Sequence, residues 1–135
     1  MPPMIDAVAQ VLDGCTRQTR MGLLRLRSLI FACADDHPEI GTVVEGVRWG
    51  QPAYLTPTTG AACSLRIGPH RDGSFGLFVH CKTDLIATFL AGPGAGQRTE
   101  GTRAVLFRDA AEIPATPISM LIAGALTYHL RRHQH

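Results

Sequence analysis

No stretch of this 135-residue chain approaches the roughly 18 to 20 consecutive apolar residues that cross a bilayer. The apolar stretch 121–126 runs into His129, Arg131 and Arg132, so it reads as a core helix and no membrane partner is expected. A basic excess is also missing: 13 Lys and Arg against 11 Asp and Glu leave +2, which argues against a nucleic-acid binder built on a concentrated basic face. The opening Met-Pro-Pro-Met-Ile-Asp lacks the basic-then-apolar order of a secretory signal, so a cytoplasmic chain with reduced thiols is expected. Cys15, Cys33, Cys63 and Cys81 form no CxxC pair, which removes the local zinc and redox motifs and leaves them as small core residues. The glycine-rich run 92–98, ending in Gln97-Arg98, lacks the Gly-Lys-Ser/Thr ending of a phosphate loop and reads as a connection. Ser64, Ser74 and Ser119 sit in no nucleophile elbow, no cofactor motif is present, and the expectation is a protein that is not an enzyme.

What remains is an ordinary globular composition, 45% hydrophobic and 18% charged, at a one-domain length without repeats or an interdomain linker. Fourteen glycines and nine prolines imply many turns. Over 18–34, Met21, Leu23, Leu24, Leu26, Leu29, Ile30 and Cys33 recur at helical spacing, with Arg20, Arg25, Arg27 and Ser28 on the polar side. A shorter helix over 5–12 stops at Gly14, and another short helix starts at Pro38. The period then falls to two: Cys63, Leu65 and Ile67 alternate with Ser64 and Arg66, and Phe75, Leu77, Val79 and Cys81 share a face. The Gly-Pro and Asp-Gly signals between them predict an antiparallel hairpin. A strand ending at Trp49, a helix after Asp84, a strand over 103–108 and a helix from Pro114 and Pro117 through Leu126 complete the reading. Helices at both ends with strands between them predict an α+β fold, an antiparallel sheet of four to five strands backed on one face.

The most distinctive run is Val43-Val44-Glu45-Gly46-Val47-Arg48-Trp49-Gly50-Gln51-Pro52-Ala53-Tyr54. With the order of elements, it resembles the hydrophobic, acid, basic, Trp-Gly-x-Pro-x-aromatic signature of the YdhG-like family, over about residues 15–130. Members of that family are described as frataxin-like and some as intracellular iron chaperones. The resemblance thus implies a frataxin-like fold and metal handling, for which Asp35, Asp36, Glu39 and Glu45 are the acids nearest one another in sequence. Acids at a helix start also serve as caps and solvated charges, and a mildly basic chain is poorly suited to a hard cation.

Glu45, Arg48, Trp49, Gly50, Pro52 and Tyr54 are the candidate ligand-binding residues, since glycine lets the backbone approach a ligand and proline interrupts pairing. The same residues could form a packed corner, with Trp and Tyr plugging the end of a core. Arg48 and Glu45, three apart, face opposite sides of a regular strand. His80 and Cys81 are adjacent and cannot share a metal on a strand, whereas His129 and His133 could on a helix. The leading expectation is a non-enzymatic small-ligand or metal-handling domain. The alternative is a homodimer closed by Phe78, which alternation places away from Leu77 and Val79 on the open side of the sheet.

Overall fold

Residues 1–132 are described by the structure, a computed structural model of the chain. Two helices, α1 (Asp6–Asp13) and α2 (Arg17–Asp35), precede a 3-10 turn at Pro38–Ile40. Strands β1 (Val44–Arg48), β2 (Gln51–Leu55), β3 (Leu65–Pro69) and β4 (Phe75–Val79) follow, then α3 (Leu85–Ala91), β5 (Thr99–Glu100), β6 (Ala104–Phe107), α4 (Ala115–Leu126) and α5 (Tyr128–Arg132). The sheet has six antiparallel strands in the order β1-β2-β3-β4-β6-β5, one more than the upper expectation. Gln51–Leu55 is a strand in its own right where the sequence suggested a break. The two-residue β5 is too short to leave an alternating pattern.

The α+β class and the one-sided helical layer are as expected. Leu23, Leu26 and Ile30 of α2 and Ile118, Ile122 and Ala125 of α4 join Tyr54, Leu65, Ile67, Phe75, Leu77, Val79, Val105 and Phe107 in one continuous core. Burying each large apolar side chain contributes about 1.5–3 kcal/mol, which fixes which sheet face meets the helices. Met21 and Leu24, counted with the apolar stripe of α2, instead point to solvent. Gly22 is where α2 crosses β4: a Cβ there would lie 2.0 Å from Phe75 Cζ, so only hydrogen fits.

The expected C-terminal helix is in two pieces. Cys63 N–H donates to Ala125 O (3.0 Å), His129 N–H donates to Ala61 O (2.9 Å) and the Thr127 hydroxyl donates to Ala123 O (2.7 Å). The first two take the place of helical bonds past Thr127, whose own N–H still donates to Ala123 O (3.1 Å). They also hold residues 61–63 off the sheet, so β3 begins at Leu65 and not at 62.

On the outer face the register aligns Gly46, Ala53, Arg66, Phe78, Ala104 and Glu100 in one row. Phe78 was expected to be exposed there, and that premise is corrected: it is 8% exposed and packs with Ala104 and Leu106. Gly76 makes room for it, since a Cβ at that position would strike Leu106 Cδ2 and the Val105 carbonyl. The β3–β4 loop is fastened at the end of the same row. His70 Nε2 lies 3.0 Å from Glu100 and Arg98 donates to Asp72 (3.1 Å), tying the loop to the far edge of the sheet. Phe78 therefore has its cover within the chain.

Candidate functional site

β1 and β2 form a hairpin whose register, Arg48↔Gln51, leaves a two-residue loop of Trp49 and Gly50. Both have positive φ, 56° and 74°, the geometry of a type I′ turn that matches the twist of the strands. That turn favours Asn-Gly, and a tryptophan in the left-handed region costs about 1–2 kcal/mol. Trp49 is 88% exposed, so it neither plugs a core corner nor lines an enclosed cleft. Its indole stands at the tip of the hairpin.

The inward side of the hairpin is occupied by a polar lock. Glu45 accepts from Arg27 twice, Nε at 2.6 Å and Nη2 at 3.0 Å, and from the Tyr54 hydroxyl at 2.9 Å. The side chains of Arg27 and Glu45 are 6% and 5% exposed. Arg27 Nη2 also donates to Pro2 O (3.0 Å), its guanidinium lies 5.0 Å from the Phe31 ring centroid, and Phe31 meets Tyr54 edge-on. The hydrogen bonds from Arg27 to Glu45 raise the Arg27 pKa. Burial, then the negative charge of Glu45, raises that of Tyr54. Glu45 and Tyr54, both candidates for ligand contact, are committed to the interior, and Pro52, opposite Val47, is buried on the same side. These residues join α2, β1, β2 and the N-terminal segment.

The outward side is the reverse case. Arg48, Gln51, Ala53 and Arg66 share this face through the pairs Arg48↔Gln51 and Ala53↔Arg66. Arg66 Nη1 donates to Gln51 Oε1 (2.9 Å), and Gln51 lies over Gly68, where a Cβ would meet its Cγ at 2.9 Å. Arg66 Nε is buried without a hydrogen-bond partner. Desolvation by burial lowers the Arg66 pKa, and among the described residues no carboxylate pairs with Arg66 or Arg48. A half-buried cation without a counter-charge is an anion-accepting arrangement, because desolvation has already been incurred and the attraction is missing.

The other candidates are not brought together. Glu39 is 2.8 Å from His37, while Asp35 and Asp36 end α2. His80 Nδ1 accepts from the Lys82 N–H (3.1 Å), and the His129 ring meets Tyr128 edge-on. His133 and His135 lie outside the described residues. Among the described residues no three His, Cys, Asp or Glu side chains converge as metal ligands, and no helix is long and apolar enough to cross a membrane. Ser74 does meet acid and imidazole in its loop, but its hydroxyl donates to Asp72, which also contacts His70 Nδ1 (2.9 Å). The serine is therefore wired to the carboxylate and not to the base that would activate it.

The thiols divide by burial, which corrects the uniform core assignment: Cys33 and Cys63 are buried, Cys15 is half-buried and Cys81 is exposed. Burial, then Asp36, pushes Cys33 from 9.0 up to about 11, and burial raises Cys15. In native protein at pH 8 a disulfide reagent is expected to modify Cys81 first, Cys15 slowly, and Cys33 and Cys63 only on unfolding. Rapid reaction of all four would contradict this packing. The unfolded chain also loses the Cys33 proton at lower pH than the folded one and so binds fewer protons between about 9 and 11. Stability is expected to fall as pH rises through that window, by about 2–3 kcal/mol at most from this thiol. Tyr54 adds a loss of the same sign above its ordinary range. Urea melts at pH 8, 9 and 10 measure it.

Arg27, Gln51 and Arg66 were not among the candidates from sequence. For Arg27 a signal existed: it stands four residues after Leu23 and three before Ile30, on the buried stripe. Arg66 simply alternates correctly as an outward polar residue, and nothing local shows that its partner is an amide and not an acid.

The chain matches no family model, no curated protein and no solved structure.

Proposed function

We propose that this chain is a non-enzymatic, YdhG-like small-ligand-binding domain of the cytoplasm whose ligand carries a carboxylate. The outer face of the β1–β2 hairpin holds it. Arg66 and Arg48 take the negative charge, Gln51 positions Arg66, and the Trp49 ring covers the apolar body of the ligand. The observation that carries the reading is the half-buried Arg66 guanidinium with no acid and an unpartnered Nε. Trp49 supports it independently: a large apolar ring held in water on a strained turn costs the fold energy without returning any to it. Family-type iron handling finds less support, since Glu45, the acid of the shared motif, is already neutralised by Arg27.

Because the fold does not need either group, both can be removed without unfolding it. Arg66→Met keeps a stem over Ala53 and is expected to leave stability unchanged or raise it by about 1 kcal/mol, by relieving a buried unsatisfied donor. Trp49→Asn suits the turn and is expected to be equally tolerated. Native mass spectrometry of untagged wild type should show a small-molecule adduct that Arg66→Met loses. Titration with aryl and alkyl carboxylates should shift the emission of Trp49, the only tryptophan. A wild type without adduct whose emission ignores all of them, or an Arg66→Met protein that binds equally well, would overturn the reading.

A further inference from the structure

We propose a second ligand site at the opposite edge of the sheet, a groove that takes a phosphate-type oxyanion on the guanidinium groups of Arg98 and Arg108. Two adjoining hollows, about 390 and 300 Å³, both have these arginines in their walls. One opens toward the β3–β4 loop at Gly73 and Ser74, the other toward the glycine-rich connection at Gly96 and Gln97. The connection was set aside from sequence for want of a Gly-Lys-Ser/Thr ending. Its end at Arg98 brings in the cation by a different route.

Both arginines are anchored through their backbones. Arg98 O accepts from Leu106 N–H (2.9 Å). Arg108 O accepts from Gln18 Nε2 (2.7 Å), and its N–H donates to Glu112 Oε2 (2.5 Å). Among the described residues the Arg108 guanidinium has no acceptor. Among the described residues Arg98 donates through Nη1 alone, to Asp72 Oδ2, and Asp72 positions it.

The two acids near the groove are already engaged. Glu112 is folded onto a backbone amide. Asp72 accepts from the Ser74 hydroxyl and amide and from His70, contacts that hold its carboxyl well below the usual range, so it stays charged and fixed on its own loop. Arg108 is left as the cation without compensation. The floor is open as well: Gly73 and Gly96 both have φ +89°, and a Cβ at either would meet nothing within 4 Å. An oxyanion can approach the backbone closely there. Two planar forks favour tetrahedral oxyanions, which accept paired N–H bonds, over a halide. Set against the roughly 30 Å³ share of one water, the hollows admit a phosphate ester and not only the bare ion.

The test is calorimetry with inorganic phosphate, pyrophosphate and a sugar phosphate, with backbone amide shifts to locate the site. Binding should be weakened about tenfold or more by Arg108→Gln, about 1.4 kcal/mol for each tenfold, at unchanged melting temperature because that guanidinium has no partner to lose. Asp72→Asn should weaken it less, through a loosened Arg98. Shifts are expected at Gly73 and Gly96. A sugar phosphate bound more tightly than phosphate identifies an ester ligand, and equal affinity identifies the free ion. Absence of binding up to about 10 mM, binding indifferent to Arg108→Gln, or shifts confined to the β1–β2 hairpin would overturn the proposal. Arg66→Met should leave phosphate binding intact, which separates this site from the first.

Discussion

Arg27→Met should destabilise the protein by about 3–5 kcal/mol, because it strands the Glu45 carboxylate in the core with only the Tyr54 hydroxyl for company. In a domain whose whole stability is about 5–15 kcal/mol, that is a large share. The paired change Arg27→Met with Glu45→Leu should recover most of the loss, since a buried ion pair replaced by apolar groups of like size is often neutral or better. Urea melts of the wild type, both single variants and the double variant give the coupling. A single variant within about 1 kcal/mol of wild type would mean that water reaches Glu45, contrary to its burial.

Gly22→Ala is the second large effect, and its sign is not that of helix propensity. In an exposed helix interior the change would stabilise by about 1 kcal/mol. Here the new methyl would sit 2.0 Å from the ring of Phe75, which is wholly buried and packed against Phe107. Neither the ring nor the helix has free space to retreat into, so overpacking of about 1–3 kcal/mol or more should win. Adding Phe75→Leu should restore part of the loss by vacating the contact. If Gly22→Ala alone raises the melting temperature, α2 does not cross β4 as closely as described.

Both effects arise at residues that helical spacing alone treats as unremarkable. Gly22 is simply a weak helix former until the crossing over Phe75 is known. Arg27 lies among Arg20, Arg25 and Ser28, and that company suggested a solvated face, although its spacing from Leu23 and Ile30 placed it on the core stripe. The contact that decides its role comes from Glu45, eighteen residues later.

The hairpin shows the same division within a few residues. Alternation correctly separated Glu45 from Arg48, and the singular run through Trp49 to Tyr54 marked where to look. It could not say that Trp49 would stand in water and Tyr54 lie in the core, because a two-residue turn and a strand break leave the same local signature of glycine and proline. Likewise Phe78 was placed on the correct face by its period, but its cover comes from Ala104 and Leu106 of β6, more than 25 residues later in the chain.

Sequence by itself determined the α+β class, the boundaries of α1 and α2 to within about two residues, and which side of β3 and β4 faces the helices. All of these follow from apolar periodicity, a local property enforced by the hydrophobic effect at each residue. Only the tertiary structure decided which charges are compensated. Arg27 found an acid, Arg66 found an amide, and Arg108 found no partner among the described residues, because an ion pair depends on distance in space and these side chains meet partners, or miss them, across separate elements.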